Sequence, residues 1–201
     1  MSNLRIFAAG DFHNDSSLAK RLAEKVSKED VDLIILNGDI VDEDQPHGVL
    51  GHFVANKKPL LMVGGNHDFH VTDFLAAAYK VKNLHGTYSI YGDVGFFGVG
   101  GANCGITQIS DDEVYNFLKQ GFEKIKHLKT KVLVSHVHPA ETAMEKFSSF
   151  VQGSAGLRKA IDVFQPDLAI VGHVHEAEGI EERVGKTRVV NVGKAGKIFQ
   201  L

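Results

Sequence analysis

The stretch Gly64-Gly65-Asn66-His67-Asp68 directly follows the apolar run PLLMV at residues 59–63, which predicts a buried strand. Its two glycines let the chain turn sharply after that strand, because glycine has no Cβ atom. Asn66 then offers an oxygen to a metal ion, His67 offers a proton or a hydrogen bond, and Asp68 can orient the imidazole. Asparagine and aspartate after glycine are also ordinary turn residues, so the meaning of the stretch depends on the other strands.

The composition is that of one ordinary globular domain. The chain has 201 residues, of which 43% are hydrophobic and 23% charged, and this predicts a single domain over residues 1–201. A net charge of −3 and a pI near 6.4 argue against nucleic acid or an anionic membrane as a partner. One cysteine, no signal-peptide pattern and no long apolar run lead us to expect a cytoplasmic protein. The sequence leaves the oligomeric state open.

Apolar runs and amphipathic patterns alternate along the first part of the chain. Strands are predicted at residues 4–9, 32–36 and 59–63, and helices at residues 15–28, 45–56 and 72–79. A hairpin (residues 87–92 and 94–100) follows, and then a helix from Ser110, where Glu113 completes a capping box. The rest of the chain is predicted to form a strand at 131–134, a helix at 154–164, a strand at 167–171 and a β-meander over 180–201. Strands buried on both faces, with helices between them, predict an α/β fold with two sheets packed between helices.

Polar side chains of metal-binding type follow five of the predicted strands within a few positions. They are Asp11 and His13, Asp39, Asn66 and His67, His136, and His173 and His175. Because functional crevices of open α/β sheets lie outside the carboxyl ends of the strands, we expect these side chains to converge at one rim.

The types of these residues indicate the chemistry. Imidazoles, carboxylates and one amide, with no thiolate, suit Mn²⁺, Fe or Zn²⁺. The set without His67 is too large for one tetrahedral zinc, but it suits two ions that share a carboxylate, about 3.5–4 Å apart. Two divalent ions, Asp11, Asp39 and a bridging hydroxide would together carry a charge of about +1, which attracts a phosphate ester. The sequence therefore predicts a strictly metal-dependent activity on a small phosphorylated substrate.

The motifs resemble those of the metallophosphoesterase, or calcineurin-like phosphoesterase, family. They are Asp11-x-His13, Gly38-Asp39-x-x-Asp42, Gly65-Asn66-His67-Asp68, His136 and Gly172-His173-x-His175. The resemblance runs from Asp11 to about Gly193, and the chain is similar to minimal prokaryotic-type members without a cap domain. It implies a four-layer α-β-β-α sandwich of two mixed β-sheets flanked by helices. One departure is Val192, which stands where the family often has proline.

The resemblance also implies a role for each motif residue. One ion would take Asp11, His13, Asp39 and His175, and the other Asp39, Asn66, His136 and His173. His67 would hydrogen-bond a phosphoryl oxygen or protonate the leaving group, held by Asp68, while a bridging hydroxide attacks phosphorus. Asp42 would support the ligands. Manganese is the expected metal, with iron, zinc and nickel as alternatives.

Several assignments stay open. His136 is favoured over His138 as the ligand, and His138 then either contacts substrate or faces solvent. Asn103 and Cys104 either line the pocket or belong to a loop, and Gly153-Ser154 either meets a phosphate or simply caps a helix. The remaining histidines fit no ligand pattern: His47, His52, His70, His85 and His127.

The predicted function is phosphate ester hydrolysis. A phosphodiester is slightly favoured over a phosphomonoester, because no arginine or lysine clamp for a dianion is evident. The alternatives are a metal-dependent nuclease, which the acidic net charge disfavours, and a non-catalytic protein-binding scaffold, which the intact motifs disfavour.

Overall fold

The computed structural model describes residues 4–45, 48–105, 107–148 and 150–201, so His47 lies outside the described residues. Two mixed β-sheets form its centre. The first sheet contains, in spatial order, β11 (Lys197–Gln200), β1 (Arg5–Ala9), β2 (Leu33–Asn37), β3 (Leu60–Val63) and β4 (Lys82–Asn83). The second contains β5 (Tyr88–Tyr91), β6 (Val94–Val99), β7 (Thr130–Ser135), β8 (Leu168–Val171), β10 (Thr187–Asn191) and β9 (Glu181–Val184).

Helices cover the outer face of each sheet. They are α1 (Ser16–Lys28), α2 (Val49–Val54) and α3 (Thr72–Tyr79) on the first sheet, and α4 (Asp111–Ile125) and α5 (Ala155–Phe164) on the second. The inner faces pack on one another through a cluster that joins Ile35 and Val63 of the first sheet to Phe96 and Ile170 of the second. This arrangement confirms the predicted four-layer α-β-β-α sandwich. No helix in the described ranges has both the length and the apolar character needed to cross a membrane.

Local capping fixes where two helices begin. The Asp15 carboxylate accepts a hydrogen bond from the Leu18 N–H (2.8 Å) and caps α1. At α4 the Ser110 hydroxyl accepts from the Glu113 N–H (3.3 Å), and the Glu113 carboxylate accepts from the Ser110 N–H (2.9 Å). The predicted capping box is therefore confirmed.

The C-terminal strands differ from the predicted meander. β9 and β10 form an antiparallel hairpin, but β10 also pairs in parallel with β8. β11 then crosses to the first sheet and pairs antiparallel with β1, with Ile198 opposite Phe7. This crossing buries Phe199 between the two sheets, which a third meander strand would not do. The two-residue strand β4 has no counterpart among the predicted strands, because it is too short to carry a pattern.

Candidate metal centre

The loops after the parallel strands are tied to one another by backbone hydrogen bonds. The N–H groups of Asp11 and His13 donate to the carbonyls of Gly38 and Asp39, each at 2.9 Å. In the second sheet the Gly172 N–H donates to the His136 carbonyl at 2.8 Å. Glycine is required where these loops meet, because a Cβ atom on Gly38 would lie 2.6 Å from His136 Nδ1.

Several residues of these loops have a left-handed backbone, which is uncommon outside glycine. The φ angles are 57° at Asp11, 44° at His13, 49° at Asp39 and 71° at His173. Each such conformation costs on the order of 1–3 kcal/mol and persists only where the surrounding structure holds it in place. Such strain clusters at functional sites, and here it falls on four of the predicted ligands.

The first predicted donor set comes together at the ends of β1 and β8. Asp11, His13 and His175 each place one donor atom within 4.8 Å of the others. His175 Nε2 lies 3.7 Å from Asp11 Oδ1, and His13 Nε2 lies 3.5 Å from Asp39 Oδ2. The interaction with Asp11 raises the pKa of His175 above its ordinary value.

The second predicted donor set surrounds His136, which is fully buried. His136 Nε2 lies 3.3 Å from Asp39 Oδ2, 3.2 Å from Asn66 Oδ1 and 3.1 Å from His173 Nδ1. Its other ring nitrogen, Nδ1, lies 3.1 Å from the carbonyl oxygen of Asn37. That carbonyl can only accept, so Nδ1 keeps its proton, and Nε2 is the nitrogen that can bind a cation once it has released its own proton.

Asp39 belongs to both sets. Its Oδ2 atom faces His13 on one side and His136 on the other, while Oδ1 accepts from the His67 N–H at 2.9 Å. Burial disfavours its charged form, but the charge of His136 outweighs this and holds the pKa of Asp39 well below its usual range. In return, although burial lowers it, the charge of Asp39 raises the pKa of His136 to about 9.

The donor set fits two divalent cations. Asp11 and Asp39 are 0% and 2% exposed, and within the described residues their ion pairs are all to imidazoles. When His136 is neutral and acts as a ligand, two buried carboxylates without a lysine or arginine need another source of positive charge. Imidazole, carboxylate and amide donors around them are the ligands that such ions take.

His67 and Asp68 do not pair as predicted. The Asp68 carboxylate is fully buried and accepts from the backbone N–H groups of Gly65 (2.6 Å), Asp39 (3.3 Å), Ile40 (2.7 Å) and Val41 (3.4 Å). It therefore binds the loop after β2 to the loop after β3. Burial and the nearby charge of Asp39 raise the pKa of Asp68 to about 6. The direct contact with the His67 ring is made by another carboxylate.

That carboxylate is Asp42. Its Oδ1 atom lies 3.6 Å from His67 Nδ1 and 3.6 Å from His13 Nδ1, and its Oδ2 accepts from the Asn14 amide at 3.1 Å. The rings of His13 and His67 meet edge-on, with centroids 4.7 Å apart. Asp42 thus orients both the predicted ligand His13 and the predicted proton donor His67. The spacing Gly38-Asp39-x-x-Asp42 was the sequence signal for it.

The weaker predictions have mixed outcomes. His138 is fully buried rather than solvent-facing, neither ring nitrogen has a hydrogen-bond partner among the described residues, and burial lowers its pKa to about 4. The Asn103 amide donates to the Gly153 carbonyl at 3.2 Å. Ser154 is an ordinary helix cap, since its hydroxyl accepts from the Leu157 N–H at 3.1 Å. Contact of His138 or Asn103 with substrate remains a prediction.

Two further contacts to the predicted ligands have no strong sequence signal. Cys104 Sγ lies 3.3 Å from His173 Nε2. The buried Asn191 amide donates to the Val174 carbonyl at 2.9 Å, which fixes the turn between His173 and His175. These contacts join residues far apart in the chain, so no local pattern predicts them.

Comparisons with known proteins identify the family and the fold. The calcineurin-like phosphoesterase family model matches residues 4–177. Among solved structures, the protein TT1561 of Thermus thermophilus is 18% identical, with a TM-score of 0.80 over 99% of both chains. A dimetal phosphatase from Danio rerio is 12% identical (TM-score 0.64, covering 95% of this chain and 87% of that one), and a novel archaeal phosphodiesterase is 16% identical (TM-score 0.55, covering 98% and 100%). A search of curated proteins finds no match. At these identities the structural likeness shows a shared fold.

Proposed function

The chain belongs to the calcineurin-like phosphoesterase family of metal-dependent hydrolases, and on that premise we propose that it hydrolyses a phosphodiester at a two-ion centre bridged by Asp39. The observation that carries the proposal is the position of Asp39 Oδ2, 3.5 Å from His13 Nε2 and 3.3 Å from His136 Nε2. A carboxylate that faces both donor sets is what two neighbouring ions require. A single-ion site would leave one set without a cation.

The ligands divide between the two ions as the resemblance implies. The first would be held by Asp11, His13, Asp39 and His175, and the second by Asp39, Asn66, His136 and His173. When bound, the ions would supply a hydroxide nucleophile and neutralise the charge of the phosphoryl group, and we favour manganese. The buried Asp68 carboxylate keeps the Asp39 and Asn66 loops in register for this purpose.

His67 supplies the proton chemistry. It is anchored through its own N–H to Asp39 and lies beside Asp42, and its side chain keeps 35% of its exposure. An imidazole at the open edge of the centre can donate to a phosphoryl oxygen or protonate the departing alcohol. Asp42, 3.6 Å from His67 Nδ1, positions the ring in either role.

Charge favours a diester and a small substrate. No lysine or arginine pairs with the site carboxylates in the described part of the chain, so a dianionic monoester lacks the clamp that would favour it. The net charge of −3 supports a small substrate over nucleic acid. The single cysteine supports a cytoplasmic location.

The test is a panel of phosphate mono- and diesters given to metal-stripped protein, alone and after addition of Mn²⁺, Fe²⁺, Zn²⁺ or Ni²⁺. We expect activity only with added metal, and greater on diesters. The His67→Ala variant should lose more activity on alkyl esters than on activated aryl esters, because only the former need a protonated leaving group. Activity without metal, or none on any ester with metal, would refute the proposal. Equal losses on both ester types would assign His67 to phosphate binding.

A further inference from the structure

We propose that the loop after β6 is the positioning element of the second ion, and that Cys104 orients its ligand His173. The inference rests on the two-ion centre of the proposed function and assigns a role to a residue outside the ligand set. The described part of this loop is residues 101–105 and 107–109. The Gly101 N–H donates to the Gly64 carbonyl at 2.9 Å, and later residues of the loop contact His173 and Asn66 of the second donor set.

The contact between Cys104 and His173 determines which ring nitrogen can bind metal. His173 Nδ1 lies 3.1 Å from His136 Nε2, inside the second donor set, whereas its Nε2 lies 3.3 Å from Cys104 Sγ. When Nδ1 gives its lone pair to a cation, the proton of the neutral ring must be on Nε2. Nε2–H then donates to the sulfur, so Cys104 fixes both the tautomer and the angle of the ring.

A second ligand of the same ion meets the same loop. Gly105 has a φ of 95°, and a Cβ atom there would lie 2.5 Å from Asn66 Nδ2. The Thr107 N–H donates to the Asn66 carbonyl at 3.3 Å. Asn66 can therefore direct Oδ1 toward His136 while its amide nitrogen lies against the loop.

The loop acts on one ion and not on the other. Among the predicted ligands, the loop's hydrogen bonds within the described residues reach Asn66 and His173, both of the second set. Asp11 of the first set meets His175 and accepts from the backbone N–H of His173 at 3.2 and 3.3 Å, so the described part of the loop does not contact it directly. Removing a hydrogen-bond partner of a metal-binding histidine typically lowers the metal affinity about 10- to 100-fold. A thiol is a weak acceptor, so we expect the lower part of that range for Cys104→Ala, about 10-fold. The affinity of the first ion should not change.

The experiment is a calorimetric titration of Mn²⁺ into metal-stripped wild type, Cys104→Ala, Cys104→Ser and Gln120→Ala. Gln120 is the control, because it is an exposed residue of α4 and lies outside the loop and both donor sets. We expect Cys104→Ala to bind one of two ions about 10-fold more weakly, Cys104→Ser to restore that affinity through its hydroxyl, and Gln120→Ala to match wild type. Gly105→Ala should weaken the same ion by displacing Asn66.

Each outcome bears on a separate claim. Two unchanged dissociation constants in Cys104→Ala, or a serine variant as weak as alanine, would overturn the role of the thiol. Only one ion bound by wild type would instead refute the two-ion centre of the proposed function. If Cys104→Ala does not fold, iodoacetamide on folded wild type replaces it, because Cys104 is the only cysteine. Alkylation should weaken binding of the second ion in wild type, whereas the same treatment should leave the metal affinity of Cys104→Ser unchanged. An alkylated wild-type protein with normal metal affinity would overturn the inference.

Discussion

Asp68 adjoins His67 in the sequence and Asp42 adjoins it in the fold, and the structure gives the two carboxylates different tasks. Asp42 faces the His67 and His13 rings at 3.6 Å, whereas Asp68 accepts hydrogen bonds from four backbone N–H groups. Replacing each by asparagine keeps the size of the side chain and removes its charge. We predict that Asp42→Asn loses activity and keeps its stability. The primary effect of Asp68→Asn should instead be a loss of stability.

The expected magnitudes follow from these contacts. Removing the carboxylate that orients His67 should lower kcat about 10- to 100-fold, or about 1.4–2.7 kcal/mol in activation free energy. The side chain of Asp42 is 39% exposed, so the free energy of unfolding should change little. In Asp68→Asn an amide nitrogen replaces one carboxylate oxygen, and it cannot accept the hydrogen bonds that two backbone N–H groups donate to that oxygen. At roughly 1.5–3 kcal/mol for each hydrogen bond to a charged group, the loss is about 3–6 kcal/mol.

The assay pairs thermal unfolding with steady-state kinetics at saturating metal and about pH 8, where Asp68, with a pKa of about 6, is ionised. For a chain of 201 residues, about 3–6 kcal/mol corresponds to a fall in Tm of roughly 6–24 °C in Asp68→Asn. The reasoning would be refuted if Asp42→Asn retained full kcat. It would also fail if Asp68→Asn unfolded at the wild-type temperature while losing activity, because Asp68 would then serve His67 directly.

Three further perturbations test the same structure. Gly65→Ala places a Cβ atom against the Asp39 carboxylate and should lower kcat about 100-fold or more; wild-type kinetics would show that Asp39 can move freely. Chelating the ions should lower Tm by about 5–10 °C, reversibly on re-addition, since the buried Asp11 and Asp39 lose their counter-charge; an unchanged Tm would mean that the ions bind weakly. Burial lowers the pKa of His85 below 6.5, and its Nδ1 accepts from the Gly100 N–H at 3.1 Å. The contribution of His85 to stability is therefore complete above pH 6.5 and is lost as the pH falls toward its folded-state pKa. When Tm is measured at decreasing pH, it should fall less steeply in His85→Phe than in wild type. Parallel curves for the two proteins would contradict the argument.

The sequence predicts most of the layers because their signals are local. The apolar run at residues 59–63 and the capping box at Ser110 each lie within a few neighbouring residues, and both agree with the structure. The path of β11 is different, because pairing with β1 depends on contacts between the two ends of the chain. A short β-run has no local feature that chooses one sheet over the other.

The same distinction applies to the site. Metal-binding residue types placed just after strands predict which side chains converge, since parallel strands bring their carboxyl ends to one rim. The partners of those side chains are set by tertiary packing. Asp68 follows His67 in the chain, yet the turn directs its carboxylate toward backbone N–H groups, and Asp42 and Cys104 reach the rings of His67 and His173 instead.

The shared carboxylate is the central claim, and the most direct test is the affinity of both ions in Asp39→Asn. Mn²⁺ is titrated into metal-stripped wild type and the variant, with Asn66→Ala as the comparison that touches only the second donor set. We predict two ions in wild type, weakened binding of both in Asp39→Asn, and weakened binding of one in Asn66→Ala. An Asp39→Asn protein that binds one ion with wild-type affinity would contradict a bridging role for Asp39.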